Sequence, residues 1–147
     1  MKKNQTKRNQ IAKKRIMDEY HFIKEIREQP EKIKKTLLTT DEKIKMIVDK
    51  YFGKVERIIL TGCGDPYMLG CGSVYAFEEW AMMPAESVEA AELSIYRRNL
   101  INKKVLFILI SSSGKTLKVI DSARLVMEKQ APHFALVNQV PSPLTDI

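Results

Sequence analysis

The stretch Lys104-Val-Leu-Phe-Ile-Leu-Ile-Ser-Ser-Ser-Gly-Lys-Thr116 decides the fold. It holds the longest uninterrupted aliphatic or aromatic run in the chain, the six residues from Val105 to Ile110. That is far short of the roughly 20 residues that cross a bilayer, and it reads as a strand covered on both faces. Past the serines, Thr116 to Lys129 sets Leu117, Ile120, Ala123 and Val126 along one side of a helix. Upstream, Arg57-Ile-Ile-Leu-Thr61 ends in Gly62 and predicts another buried strand. Pro66 to Met82 follows as a helix with Leu69, Ala76, Phe77 and Trp80 among its apolar positions, and Ala85 to Ala90 is a weaker strand. Downstream, His133-Phe-Ala-Leu-Val-Asn138 predicts a fourth strand. Strands alternating with helices imply crossover units and a parallel sheet, an α/β fold. Ligands of such sheets sit at the carboxyl ends of the strands, here Thr61–Asp65, Ser111–Thr116 and Asn138–Ser142.

The region before the first strand has helical spacing. Ile16, Tyr20, Ile23 and Ile26 mark a helix from about Lys14 to Gln29, which Pro30 is expected to end. Pro30 also suits the first turn of a second helix that buries Ile33, Leu37 and Leu38. Thr39 and Glu42 have capping-box spacing, so a third helix is expected near Asp41, carrying Ile44, Ile47 and Val48 to a stop at Gly53. The organisation read from this is a basic flexible tail over 1–15, a helical lead-in over 16–56 and an α/β domain over 57–147.

The net charge of +7 is concentrated at the amino end. Residues 1–58 hold 17 basic and 9 acidic groups, whereas residues 59–147 hold 8 and 9. Lys2, Lys3, Lys7, Arg8, Lys13, Lys14 and Arg15 stand in the first 15 residues with no acid among them. No aromatic or glycine-rich pattern accompanies them, so the tail is read as a solvated segment and nucleic acid is not among the expected partners. No apolar segment suits a secretory signal or a membrane span, and the expected location is cytoplasmic. Two cysteines do not make a disulfide framework.

Three motifs fail on spacing. Gly114-Lys115-Thr116 ends like a P-loop, but the glycine needed five positions earlier is Leu109. Gly62-Cys63-Gly64 follows a strand like a dinucleotide fingerprint, but its third glycine would fall at Tyr67. Cys63 and Cys71, with only His21 and His133 elsewhere, give no readable four-ligand zinc set. No metal and no cofactor is expected.

The serine loop carries the chemistry. A helix that starts near Lys115 or Thr116 presents unpaired N–H groups and the positive end of its dipole. Ser111, Ser113 and Thr116 add hydroxyl donors, and Gly114 allows close backbone approach. That suits a phosphate monoester. A plain serine cap is the simpler use, but three serines and a threonine exceed what one cap needs.

At this point the order of segments resembles the sugar isomerase (SIS) domain family, in particular its branch with the isomerase half of glucosamine-fructose-6-phosphate aminotransferase. The matching pieces are Lys24-Glu-Ile-Arg-Glu-Gln-Pro30 with Leu37, Gly62-Cys-Gly64 with Tyr67, and Glu89-Ala-Ala-Glu-Leu93. Ile110-Ser-Ser-Ser-Gly-Lys-Thr116 and Asn138-Gln-Val-Pro-Ser-Pro-Leu144 continue them in order. The resemblance implies a three-layer αβα fold with a flavodoxin-like parallel sheet, phosphosugar binding and homodimerisation. It places Ser111, Ser112, Ser113 and Thr116 in the phosphate loop, with Gly64 and Asp65 beside the sugar.

This chain departs from the family pattern in both loops. Ser112 stands where Gln is common and Lys115 where Glu is common, while Asp65-Pro66 replaces Thr-Ser. A carboxylate at Asp65 repels phosphate but accepts bonds from sugar hydroxyls or an amine. The resemblance also implies acid–base residues beyond Ile147, so no catalytic residue is assigned and the chain is expected to be the amino-terminal part of the domain. The expected role is a phosphate clamp for a hexose or amino-hexose 6-phosphate, related to an isomerase or aminotransferase. The alternative is a phosphosugar-sensing module without turnover. A DNA-binding helix-turn-helix is not expected, since the lead-in shows no short glycine-containing turn between two short helices.

Overall fold

The structure, a computed structural model, describes the backbone of residues 2–147 and the side chains of Tyr20 and residues 22–147. The basic side chains of the tail, Ile16 and His21 lie outside the described residues. The chain divides into two compact units, Met1–Val48 and Asp49–Ile147.

The amino-terminal region forms one helix, α1, over Lys2–Tyr51, with Pro30 inside it. The expected breaks at Pro30 and near Thr39 do not occur, and local bonding explains why. Proline removes one backbone bond, at a cost of roughly 3 kcal/mol, but its neighbours are mostly good helix formers. Thr39 does not cap a new helix: its hydroxyl donates to the Lys35 carbonyl at 2.9 Å. Thr36 and Thr40 bond back in the same way, to Lys32 at 2.9 Å and Thr36 at 2.7 Å. A hydroxyl satisfied four residues back no longer competes with the helix. Ion pairs Lys24–Glu28 and Asp41–Lys45, at 3.8 and 2.7 Å, add a few tenths of a kcal/mol each. After Tyr51 the chain turns at Gly53, whose φ of +70° is the left-handed stop expected there.

The second unit alternates strands and helices. Its elements are β1 (Arg57–Gly62), α2 (Asp65–Trp80), β2 (Ala85–Glu89), α3 (Ala90–Ile95), a single 3₁₀ turn at Arg98–Leu100, β3 (Val105–Ser111), α4 (Leu117–Glu128) and β4 (His133–Val137). All four predicted strands are present. They form a parallel sheet in the order β2-β1-β3-β4. This is the flavodoxin-like start expected of the fold.

Alternation along the strands sorts the core into two layers. Ile58 and Leu60 of β1 with Leu106, Ile108 and Ile110 of β3 face one side, against Val74 and Phe77 of α2. Ile59, Phe107 and Leu109 face the other, against Leu93 of α3 and Val119, Ala123 and Val126 of α4. Every residue of β3 is buried, as the apolar run requires. In β2 only Val88 is buried, which explains its weak sequence signal. No helix among the described residues is long and apolar enough to cross a membrane.

Phe107 is fully buried at the centre of the sheet. Phe107→Ala is expected to lower the unfolding free energy by about 3–5 kcal/mol in urea denaturation followed by circular dichroism. Leu136→Ala, on the half-exposed edge strand β4, is expected to cost less in the same measurement.

Candidate functional site

Strand order makes the site. From β1 the chain runs outward to β2 and then crosses to β3 on the other side of β1. The connections after β1 and β3 therefore leave toward opposite faces and open a crevice at their carboxyl ends. Two loops line it, Gly62–Asp65 and Ser111–Thr116.

The first loop has little room for side chains. A Cβ on Gly62 would lie 2.7 Å from the Pro66 Cβ and 3.0 Å from the Ile110 carbonyl oxygen. Gly64 has φ of +62° and sits at the N-cap of α2 with no side-chain cap bond. Asp65 follows, exposed, in the first turn of α2, and has no hydrogen-bond or ion-pair partner among the described residues.

The second loop is knit by its own hydroxyls. Ser111, 1% exposed, accepts the Gly114 N–H at 3.1 Å and shares a 3.2 Å hydrogen bond with the Thr116 hydroxyl. Ser113 is exposed and accepts the Lys115 N–H at 3.2 Å. The Ser112 hydroxyl is exposed and has no partner among the described residues. Thr116 is the N-cap of α4, yet its side chain makes no cap bond and no acidic residue stands in the first turn. The helix end thus keeps unpaired N–H donors and an uncompensated positive dipole. Ser112, Ser113 and Thr116 can meet a ligand there, whereas Ser111 holds the loop from inside.

Gly114 serves a purpose that the sequence did not show. Its φ is +64°, and a Cβ there would collide with the side chain of Ser142. Ser142 is buried, and the Leu144 N–H donates to the Gly114 carbonyl at 3.0 Å. The Asn138 N–H reaches the Ser112 carbonyl at 3.2 Å. The segment after β4 therefore supports the serine loop from below. Asn138–Ser142 is recognisable in the sequence as a strand end, but nothing there gives Ser142 this role.

Glu89 was missed as well. It ends β2 in register with Gly62 and caps α3, its Oε2 accepting N–H bonds from Ala91 at 2.6 Å and Glu92 at 3.3 Å. Glutamate is not a favoured N-cap type, so the signal was faint. Burial pushes the Glu89 carboxyl up, but bonds from the Cys63 thiol and the two N–H groups outweigh it and leave it below its usual value. Its stabilising effect is present above the ordinary carboxylate range and fades as pH falls through the lowered value. Burial first, and then the Glu89 carboxylate, raise the Cys63 thiol to about 11. Cys71 instead bonds with Tyr67, whose hydroxyl it pushes up, so the two cysteines serve different neighbours. Gly64 and Asp65 share the carboxyl edge of the sheet with the serine loop, and among the described residues no hydrogen bond joins Asp65 to it.

The family profile described as the SIS domain matches residues 51–146, well over half of the chain. The isomerizing glutamine–fructose-6-phosphate aminotransferase of Caldanaerobacter subterraneus subsp. tengcongensis is 34% identical over 131 residues, covering 84% of this chain and 21% of that protein. The C-terminal domain of glucosamine-fructose-6-phosphate aminotransferase from Francisella tularensis superposes with a TM-score of 0.72 at 28% identity, over 85% of this chain and 36% of the other. Tagatose-6-phosphate ketose/aldose isomerase from Escherichia coli shares the fold with a TM-score of 0.74 at 19% identity, over 84% and 35% of the two chains. The chain thus spans about a fifth of the length of the curated relative.

The raised thiol of Cys63 predicts slow alkylation at neutral pH, faster as pH approaches 11. Glu89→Gln removes a carboxylate that favours the neutral thiol, so Cys63 in that variant should react faster at pH 8. Peptide mass mapping separates Cys63 from Cys71. An unchanged rate would show that burial alone sets the thiol.

Proposed function

Because the chain belongs to the SIS domain family, we propose that it binds a hexose or amino-hexose 6-phosphate, with the serine loop as its phosphate clamp. The observation that carries this reading is the N-terminus of α4, which has no side-chain cap and lies beside the hydroxyls of Ser112, Ser113 and Thr116. A phosphate monoester carries close to two negative charges at neutral pH, and aligned N–H groups with hydroxyl donors satisfy its oxygens. Lys115, exposed in the same loop, adds a positive charge. Ser111 acts as a positioning residue, and Gly64 leaves space for the sugar at the neighbouring strand end.

The relatives' names direct the reading toward aldose and ketose 6-phosphates. In this reading the parent activity interconverts or aminates such a sugar. The clamp consists of hydroxyls and N–H donors and contains no group that takes a proton at neutral pH, so its part is to bind and orient. We further read the protein as a homodimer, since α2 turns Met68, Leu69, Tyr75 and Trp80 to solvent, and as cytoplasmic. Sedimentation velocity is expected to show a dimer, and a monomer at micromolar concentration with a sharp two-state melt would remove that part of the reading.

Calorimetric titration with fructose 6-phosphate, glucosamine 6-phosphate and inorganic phosphate tests the clamp. A sugar phosphate is expected to bind more tightly than phosphate. Ser113→Ala/Thr116→Ala should weaken binding by about 1–3 kcal/mol for each charge-assisted hydrogen bond removed. An unchanged affinity in that double variant would sink the assignment.

A further inference from the structure

A second cluster of cations lies between α3 and the flank of α4. Between α3 and α4 runs a groove of about 260 Å³ in which Arg98, Lys118 and Arg124 stand above Ile95 and Leu125, with Asp121 the acid among its lining residues. Arginines on a helical surface are ordinary; here the neighbouring residue supplies a control. Arg97 is committed to structure, paired with Glu86 at 2.5 Å and Glu92 at 3.7 Å. Arg98 and Arg124 have no carboxylate partner among the described residues. The Nε of Arg98 donates to the Ser94 carbonyl at 2.6 Å, which fixes its stem and leaves the outer guanidinium nitrogens unused. Arg124 makes no side-chain hydrogen bond among the described residues. Lys118 is neutralised by Asp121 at 3.0 Å.

We propose that this groove is a second anion site, which takes a small phosphate-bearing molecule. Two unpaired guanidinium groups match the charge of one phosphate monoester, and the planar forks suit its oxygens. At about 260 Å³ it has room for a pyrophosphate or a short-chain phosphate. Ile95 and Leu125 give a short apolar part somewhere to rest. The groove is distinct from the clamp. The clamp uses the first turn of α4, in which Lys118 also stands, whereas Arg124 lies about 9 Å further along the helix from Lys118.

Titration of the full chain with inorganic pyrophosphate, followed by calorimetry, tests the proposal independently of the clamp. Two binding events per chain are expected. Arg124→Ala, which breaks no side-chain hydrogen bond and whose folding a thermal melt confirms, should weaken one of them at least tenfold and leave the other. Ser113→Ala/Thr116→Ala should spare the event that depends on Arg124. If the clamp reading alone is wrong, a single event remains and it still depends on Arg124. The proposal is overturned by a single event that Arg124→Ala leaves unchanged, or by no binding at millimolar pyrophosphate.

Discussion

Strand β3 has no side in water. All its residues are buried, it pairs with β1 along one edge and β4 along the other, and helices cover both faces. A backbone so placed satisfies its polar groups only through its neighbours, and the penalty for failing is about 1–3 kcal/mol per group. The positions of β1 and β4 follow from that, and so does the requirement for a helical layer on each side. The consequence for function is positional. Ser111, the last residue of the strand, is held as firmly as the core beneath it, and the loop it anchors hangs from a fixed point.

Burial on both faces is also why β3 was legible in the sequence, as a continuous apolar run needs no tertiary context to be recognised. Elsewhere legibility followed the amount of burial. In β2 one inward residue, Val88, had to carry the pattern, and only the alternation of elements around it made the strand readable. Misreading α1 had a different cause. Pro30 and Thr39 are punctuation when considered locally, yet three threonine hydroxyls bond back within the helix and the proline is tolerated mid-helix. A local stop signal and a residue that the helix absorbs look alike in one dimension. For α3 the start signal was a glutamate cap, too rare a choice to read.

The candidate site divides along the same line. Hydroxyls and a glycine before a helix mark a candidate anion loop by type alone. What they do not announce is that Gly114 must be glycine because Ser142 packs against it, or that Ser111 turns its hydroxyl inward. Those facts depend on the segment after β4 folding beneath the loop. The Cys63–Glu89 pair depends likewise on β1 and β2 lying side by side. Contacts between residues distant in sequence are invisible to spacing arguments, however good the local pattern.

Electrostatics at the mouth of the crevice give the site a direction. In a parallel sheet α2 and α4 both begin at the carboxyl edge, so both present positive ends there. They are not equivalent. Asp65 places a carboxylate in the first turn of α2, whereas α4 has no acid in its first turn and no side-chain cap. The positive end of α2 is offset by its own carboxylate; that of α4 is not. An anion entering the crevice is drawn to one side and repelled by the other. A sugar phosphate bound as proposed meets the uncompensated helix end with its phosphate and the carboxylate with its hydroxyl or amino groups. Asp65 therefore gives the crevice a polarity that leaves the end at which phosphate is proposed to bind free of negative charge.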